Sequence, residues 1–165
     1  MDQPTPPADS AEQSPGQVIG LFHGGVTVAD LDRSVAFYCD VLGFVLAVRR
    51  DATEEYLRQM HRQPFTVVRM AFLAIPNSTS MIELIQYLGV ETRRPAYQPS
   101  DPATGHLCFL VDDIHALDRR LRAIGCPARS DHPIQITAGP NKGGWAVYFA
   151  DPDGYPLEFI QRVRG

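Results

Sequence analysis

The sequence has few cysteines and no long apolar run. Its three cysteines, Cys39, Cys108 and Cys126, form no CxxC pair. This odd number without CxxC spacing favours buried, reduced thiols in a cytoplasmic protein. Every apolar run is too short to cross a bilayer. The N-terminus also lacks the charged and then apolar pattern of a signal peptide, so we do not expect secretion.

Positive charge is scarce as well. The chain has 15 Lys and Arg residues against 19 Asp and Glu residues, which gives a formal net charge of −4. Its basic residues form no stripe or cluster that would bind a polyanion. This composition argues against a nucleic-acid partner and against a protein of the membrane surface.

The 165 residues suffice for one globular domain or for two small halves that share a core. Residues 1–16 are rich in Pro, Ser, Asp and Gln and have no apolar periodicity, so we expect a disordered tail there. Prolines punctuate residues 89–104, which we interpret as a linker. It would join a first module at 17–88 to a second module at 105–165.

Each half is predicted to run strand, helix, strand, strand, strand. In the first half Asp30 suits a helix N-cap and Gly43 suits its C-cap, and in the second half Asp113 and Gly125 have the same roles. Residues 53–62 are polar and fit either a short helix or a loop. The predicted strands span 18–28, 44–48, 65–75 and 81–87 in the first half, and 106–111, 134–137, 145–149 and 156–163 in the second.

Two nearly identical phrases indicate an internal duplication. Ile-Glu-Leu-Ile-Gln, which contains Glu83, corresponds to Leu-Glu-Phe-Ile-Gln, which contains Glu158. A histidine opens each half, and His23 and His106 each lie seven residues before the predicted helix N-cap. These matching intervals predict that each half supplies one histidine and one glutamate.

Strand alternation predicts that these four side chains share one side of the sheets. Both glutamates and His106 fall on strand faces opposite the helices, and His23 joins them if Phe22 and Val26 point toward the helices. A carboxylate among apolar neighbours needs a partner such as a cation. Two imidazoles and two carboxylates are a ligand set for a divalent metal. We therefore expect one divalent cation bound by His23, Glu83, His106 and Glu158.

Three motifs connect the chain to a known superfamily. They are His-Gly-Gly-Val-Thr-Val-Ala-Asp-Leu from His23, Gly-His-Leu-Cys-Phe-Leu-Val-Asp-Asp-Ile from Gly105, and Tyr-Phe-Ala-Asp-Pro-Asp-Gly from Tyr148, which leads to Glu158. With these motifs the chain resembles the vicinal oxygen chelate superfamily of glyoxalase I, bleomycin-resistance proteins and extradiol dioxygenases, over about residues 18–163. The resemblance implies an α+β fold of two paired βαβββ modules. They would form a curved, cupped mixed sheet around the metal, with the helices outside.

The ligand pattern separates members of that superfamily. Carried over position by position, the order His23, Glu83, His106, Glu158 is similar to that of bacterial-type glyoxalase I. Methylmalonyl-CoA epimerases have Gln where this chain has Glu83. Extradiol dioxygenases use only the other three positions, so Glu83 argues against that reaction. The stretch 82–87 and the loop 139–144 are also similar to cyclitol epimerases of the valiolone type.

This ligand set predicts Lewis-acid chemistry by Mn, Fe, Co, Ni or Zn on a small substrate with two neighbouring oxygens. The ion would acidify the C–H next to a carbonyl, and we expect Glu158 to accept that proton and Glu83 to return it on the other side. The leading hypothesis is a metal-dependent isomerase, epimerase or lyase. We expect a homodimer, although the linker permits a site within one chain or across two. An Fe(II) ring-cleaving dioxygenase and a metal-free drug-binding protein like the bleomycin-resistance proteins remain alternatives.

Several other side chains are candidates for lining a pocket, although each is also compatible with surface or core: Arg69, His61, Tyr87, Tyr97, Asn141, Lys142 and Trp145. The loop 139–144 lacks the spacing of a Walker phosphate loop. We interpret it as a flap over the metal pocket.

Overall fold

Strands and helices alternate in nearly the same order in the two halves. The computed structural model describes residues 16–93 and 98–163. The first half contains β1 (His23–Thr27), α1 (Leu31–Ala36) with a π-helical segment (Phe37–Val41), β2 (Val45–Ala52), α2 (Glu55–His61), β3 (Val67–Ala74) and β4 (Met81–Leu88). The second half contains β5 (Leu107–Leu110), α3 (Ile114–Ala123), β6 (Ile134–Gln135), β7 (Trp145–Ala150) and β8 (Pro156–Gln161). The predicted tail, residues 1–16, lies outside the described residues except for Gly16.

Each half forms one four-stranded mixed sheet. The strand orders are β1-β4-β3-β2 and β5-β8-β7-β6. The β1–β4 and β5–β8 pairs are parallel, and the remaining neighbours are antiparallel. The predicted α+β class is therefore confirmed, with the eight strands divided between two sheets.

Both predicted helix starts are confirmed by their caps. The Asp30 carboxylate accepts a hydrogen bond from the backbone N–H of Arg33 at 3.0 Å, and Asp113 accepts one from Ala116 at 2.9 Å. Each cap satisfies a donor of the first turn that has no partner within its helix. After α1, Gly43 has a φ of +78°, a left-handed conformation that glycine adopts at low cost.

Pairing with neighbouring strands decides where the elements begin and end. The predicted strand at 18–28 is shorter than expected, because β4 begins opposite His23 and residues 16–22 have no partner strand. In contrast, β2 extends to Ala52 because it pairs with β3 from Val45 to Ala52, with a register shift between Leu46 and Val48. The strand therefore includes the polar residues Arg49 and Arg50. Within the ambiguous segment 53–62, a short helix, α2, is formed.

One hydrophobic core joins the two halves. It contains Val26, Leu31, Tyr38, Leu73, Ile82 and Leu84 from the first half, and Ile114, Leu117, Leu121, Val147, Phe149 and Leu157 from the second. The rings of Phe44 and Phe109 meet edge to face across this core with centroids 5.2 Å apart. Burial of these side chains is the main force that holds the halves together.

The turn between β7 and β8 adds polar contacts between the halves. Asp153 accepts a hydrogen bond from the backbone N–H of Ala29 at 2.8 Å and pairs with Arg33 of α1. The buried Tyr38 hydroxyl donates to Asp151 at 3.2 Å. The Asp-Pro-Asp-Gly turn thus also fixes α1 of the first half against the second half. Among the described residues, no helix is long and apolar enough to span a membrane.

Candidate metal centre

Glu83 and Glu158 occupy equivalent places in the two sheets. Glu83 pairs in register with Gly25 on β1 and Phe72 on β3, and Glu158 pairs in the same way with Cys108 and Tyr148. Paired residues on neighbouring strands point to the same face. We call the face of each sheet that carries its glutamate the glutamate face. The opposite face, which we call the helix face, carries the side chains of the hydrophobic core.

The first half-site is a histidine–glutamate pair. His23 Nε2 lies 3.1 Å from Glu83 Oε2, and the exposed fractions of the two side chains are 28% and 13%. The Phe72 ring packs edge to face against the His23 ring, with centroids 5.4 Å apart. Val26 points into the core as the sequence suggested, whereas Phe22 is exposed beside His23. Nδ1 of His23 is buried and has no hydrogen-bond partner among the described residues.

The second half-site repeats the pair with added hydroxyl and thiol groups. His106 Nε2 lies 3.0 Å from Glu158 Oε2, with exposed fractions of 44% and 17%. The Tyr148 hydroxyl lies 3.3 Å from His106 Nε2. Partial desolvation and the Glu158 carboxylate raise the pKa of Tyr148 to about 12, and they raise the pKa of the Cys108 thiol to about 12 as well. Both groups therefore remain protonated at neutral pH, and each can donate to Glu158. Cys108 is nevertheless exposed at the surface, and the other two cysteines are half-buried, so the expectation of buried thiols is wrong.

The two half-sites stay separate within the chain. In the described ranges 16–93 and 98–163, no three His, Cys, Asp or Glu side chains converge in a way that could hold a metal. Each half-site nevertheless offers one imidazole nitrogen and one carboxylate oxygen about 3 Å apart. These donors fit a divalent cation in type and charge, and joint ligation by all four stays a prediction.

A small second cluster covers the end of the first glutamate face. Met70 and Ile85 of that face pack with Leu57 and Phe65 of α2 and its following loop. The Tyr87 hydroxyl lies 2.6 Å from His61 Nδ1 at the edge of this cluster. The second half has no helix equivalent to α2 among its described residues, so its glutamate face is covered less.

Other predicted pocket residues lie in several places. Arg69 is on the helix face, where it pairs with Asp32 and Asp51. Trp145 packs against the core, and its ring meets the His115 ring at 4.9 Å. Tyr97 lies outside the described residues. Asn141 and Lys142 line a cavity of about 280 Å³ together with Pro140, Arg162 and Val163. The flap role of the loop 139–144 stays a prediction.

A larger cavity opens beside the second half-site. Its volume is about 440 Å³, and its walls include Gly105, His106, Tyr148, Arg129 and Pro156 of the second module, with Gln98, Pro99 and Thr104 of the linker. Thr104 stabilises that part of the linker by donating hydrogen bonds from its hydroxyl to the carbonyl oxygens of Gln98 and Asp101. The cavity can accept a small molecule that reaches His106.

The glutamine of each repeated phrase has a role that the sequence analysis missed. Gln86 accepts a hydrogen bond from the backbone N–H of Leu31 at 3.2 Å and donates to the carbonyl oxygen of Ala29 at 2.8 Å. Gln161 accepts from the backbone N–H of Ile114 at 2.8 Å. Each phrase thus presents a glutamate on one strand face and a cap for the adjacent helix on the other. The sequence feature that indicates this role is that the glutamine follows the glutamate at the same interval in both repeated phrases.

Comparisons with known proteins agree with this architecture. Residues 20–159 match the model of the Glyoxalase/Bleomycin resistance protein/Dioxygenase superfamily. The chain is 34% identical over 154 residues to a 2-epi-5-epi-valiolone epimerase from Actinomyces sp, with 92% of this chain and 83% of that protein covered. It is 37% identical over 145 residues to a lactoylglutathione lyase from Haemophilus influenzae, with 86% and 91% covered. The relatives' names support an enzyme of isomerase or lyase type.

Solved structures support the fold. A glyoxalase family protein from Bacillus cereus superposes with a TM-score of 0.75 at 18% identity, covering 92% of this chain and 99% of that one. A domain from Frankia sp. named for the glyoxylase, bleomycin resistance protein and dioxygenase group gives a TM-score of 0.63 at 24% identity, covering 88% and 99%. At these identities the likeness shows the fold alone.

Proposed function

Because the chain belongs to the glyoxalase, bleomycin-resistance protein and dioxygenase superfamily, we propose that it is a divalent-metal-dependent isomerase, epimerase or glyoxalase-type lyase. Its substrate is a small molecule with two neighbouring oxygens, one of them a carbonyl. The observation that carries this proposal is the presence of two matching histidine–glutamate pairs at equivalent positions of the two sheets.

The proposed ligands are His23, Glu83, His106 and Glu158. Two carboxylates balance the charge of a divalent ion, and two imidazoles add neutral donors. When bound, the ion supplies Lewis-acid polarisation of the substrate carbonyl, which acidifies the adjacent C–H. Mn, Fe, Co, Ni and Zn all suit such a set.

Proton transfer is assigned to the two glutamates. Glu158 accepts the proton from the carbon next to the carbonyl, and the electron pair stays on the substrate. Glu83 then donates a proton to the opposite side of the substrate. The product therefore has the opposite configuration at that carbon, or carries the hydrogen on a different atom. A carboxylate is a suitable base here because the Glu83 and Glu158 side chains are only 13% and 17% exposed, which limits competition from water.

A second copy of the chain is proposed to complete the site. The two half-sites do not converge within one chain, as described above. The edge strand β2 also leaves Val45, Leu46 and Val48 exposed at 62%, 41% and 52%. Exposed apolar side chains on a free strand edge favour association. A homodimer would place the first half-site of one chain against the second half-site of its partner.

Complementation tests this assembly. His23→Ala and His106→Ala are each expected to abolish activity, whereas co-expression of the two variants restores it. If each site is formed by two chains, every mixed dimer retains one intact site of its two. Because about half of the dimers in a random mixture are mixed, about a quarter of the wild-type number of sites is expected. A site within one chain leaves none, so an inactive mixture whose mixed dimers are demonstrated by tagged pull-down contradicts the shared site.

The reaction itself is tested by isotope exchange. Wild-type protein reconstituted with Co²⁺, Ni²⁺, Zn²⁺, Mn²⁺ or Fe²⁺ is incubated in deuterated water with the hemithioacetal of methylglyoxal and glutathione, or with 2-epi-5-epi-valiolone. We expect metal-dependent deuterium incorporation next to the carbonyl of one of them. Oxygen consumption with a catechol and bound iron would instead identify a dioxygenase.

A further inference from the structure

The two half-sites have the same framework but differ in their hydrogen-bond donors. At the β3 and β7 positions that pair with the glutamates, the first half has Phe72 and the second has Tyr148. At the β1 and β5 positions, the first half has Gly25 and the second has Cys108. Both changes place a hydroxyl or thiol group next to Glu158.

The donors of the second half-site are in contact range of the histidine–glutamate pair. The Tyr148 hydroxyl is 3.3 Å from His106 Nε2, and the ring centroids of the two residues are 5.3 Å apart. Tyr148 and Cys108 are the register partners of Glu158 on β7 and β5, so their side chains lie beside Glu158 on the same face of the sheet. The corresponding register partners of Glu83, Phe72 and Gly25, have no polar side-chain atom and offer no such donor.

Hydrogen bonds from neutral donors fix the orientation of a carboxylate. A partner that touches both a metal-binding group and its neighbour restricts rotation of the ligand, and removal of such a partner typically weakens metal binding by about 10–100-fold. Glu158 therefore has neighbouring donors on both flanking strands that can fix its orientation, whereas the flanking residues of Glu83 provide none.

We propose that Tyr148, assisted by Cys108, is a positioning residue that holds the Glu158 carboxylate beside His106. This inference rests on the proposed function, in which Glu158 accepts the substrate proton. The phenol would give the Glu158 carboxylate a fixed partner while it accepts the substrate proton. It also makes the two glutamates unequal, so that proton abstraction is assigned to one face of the substrate.

The chain offers variants that convert the second half-site into the first. Tyr148→Phe copies Phe72, and Cys108→Gly copies Gly25, whereas Cys108→Ser keeps a donor. Tyr56→Phe is a matched control, since Tyr56 is 55% exposed on α2, away from both glutamates. Thermal unfolding checks that each variant is folded.

Three measurements test the proposal. Calorimetric titration with Co²⁺ is expected to give a dissociation constant about tenfold or more above wild type for Tyr148→Phe. On the substrate that the wild type converts, kcat falls about tenfold while KM changes less than about threefold, because the lost interaction is with the base. In metal-free protein, the carboxyl ¹³C signal of Glu158 moves in Tyr148→Phe and that of Glu83 does not. Tyr56→Phe changes none of the three.

The carboxyl signal separates this proposal from the proposed function. If the wild type binds no Co²⁺, the proposed function is wrong, yet the metal-free signal still decides whether Tyr148 holds Glu158. An unchanged Glu158 signal in Tyr148→Phe overturns the positioning role. The positioning role is also overturned if Tyr148→Phe binds Co²⁺ with wild-type affinity and turns over substrate with the wild-type kcat.

Discussion

Replacement of Gln86 by alanine tests how the repeated phrase stabilises the fold. In the wild type, one side chain satisfies two backbone groups at the start of α1: the N–H of Leu31 and the carbonyl of Ala29. Leu31 is fully buried, so water does not readily replace the lost acceptor. The variant therefore loses a helix cap and leaves a buried donor unpaired.

The expected cost follows from these two bonds. A buried unsatisfied donor costs about 1–3 kcal/mol, and the second hydrogen bond contributes about 0.5–1.5 kcal/mol, so Gln86→Ala should destabilise the fold by about 2–4 kcal/mol. For a chain of this size this lowers Tm by about 5–15 °C. Gln161→Ala removes one such bond, to Ile114, and should cost less. Urea and thermal unfolding followed by far-UV circular dichroism measure both values.

Gln59→Ala is the matched control, because Gln59 is exposed on α2. It should unfold within about 0.5 kcal/mol of wild type. If Gln86→Ala also falls within that margin, the glutamine does not act as a cap and the structural reason for the repeated phrase is wrong.

Three further changes have defined outcomes. Burial raises the pKa of Asp151 above its ordinary value of 3.8, so the folded chain binds that proton more tightly than the unfolded chain. Relative to Asp151→Asn, wild-type stability is therefore highest below the unfolded pKa of 3.8 and falls as the pH rises through the raised folded pKa, as urea titrations at several pH values would show; a constant difference contradicts this. Gly144→Ala should destabilise the fold by about 1–3 kcal/mol, because an added Cβ would collide with the backbone carbonyl of Gln161; an unchanged Tm would be evidence against that packing. Glu158→Gln loaded with metal at saturating concentration should exchange the substrate proton at least about 100-fold more slowly than wild type, and normal exchange in the metal-loaded variant would remove Glu158 from the role of base.

Local sequence signals predicted the elements and the faces of the strands. Asp30 and Asp113 were recognisable as caps because they precede apolar helical patterns. Alternation with period two placed Glu83 and Glu158 opposite the core. These features depend on neighbours a few residues away, which the sequence shows directly.

Features that depend on distant partners could not be predicted in this way. The strand start at His23 is set by β4, and the contact between Ala29 and Asp153 joins residues 124 positions apart. The position of Tyr148 beside Glu158 becomes visible only through the register of β7 with β8. In the proposed homodimer, the two half-sites meet through contacts between two chains. Local patterns in the sequence do not indicate how those chains are arranged.

Metal content tests the central claim most directly. Wild-type protein, His23→Ala and His106→Ala are reconstituted with a divalent transition ion, freed of excess, and analysed for bound metal. We expect about one ion per chain for the wild type and almost none for either variant, because each half-site holds only half of the ligands. A wild type that binds no ion, or a variant that keeps its ion after losing one half-site, would contradict it.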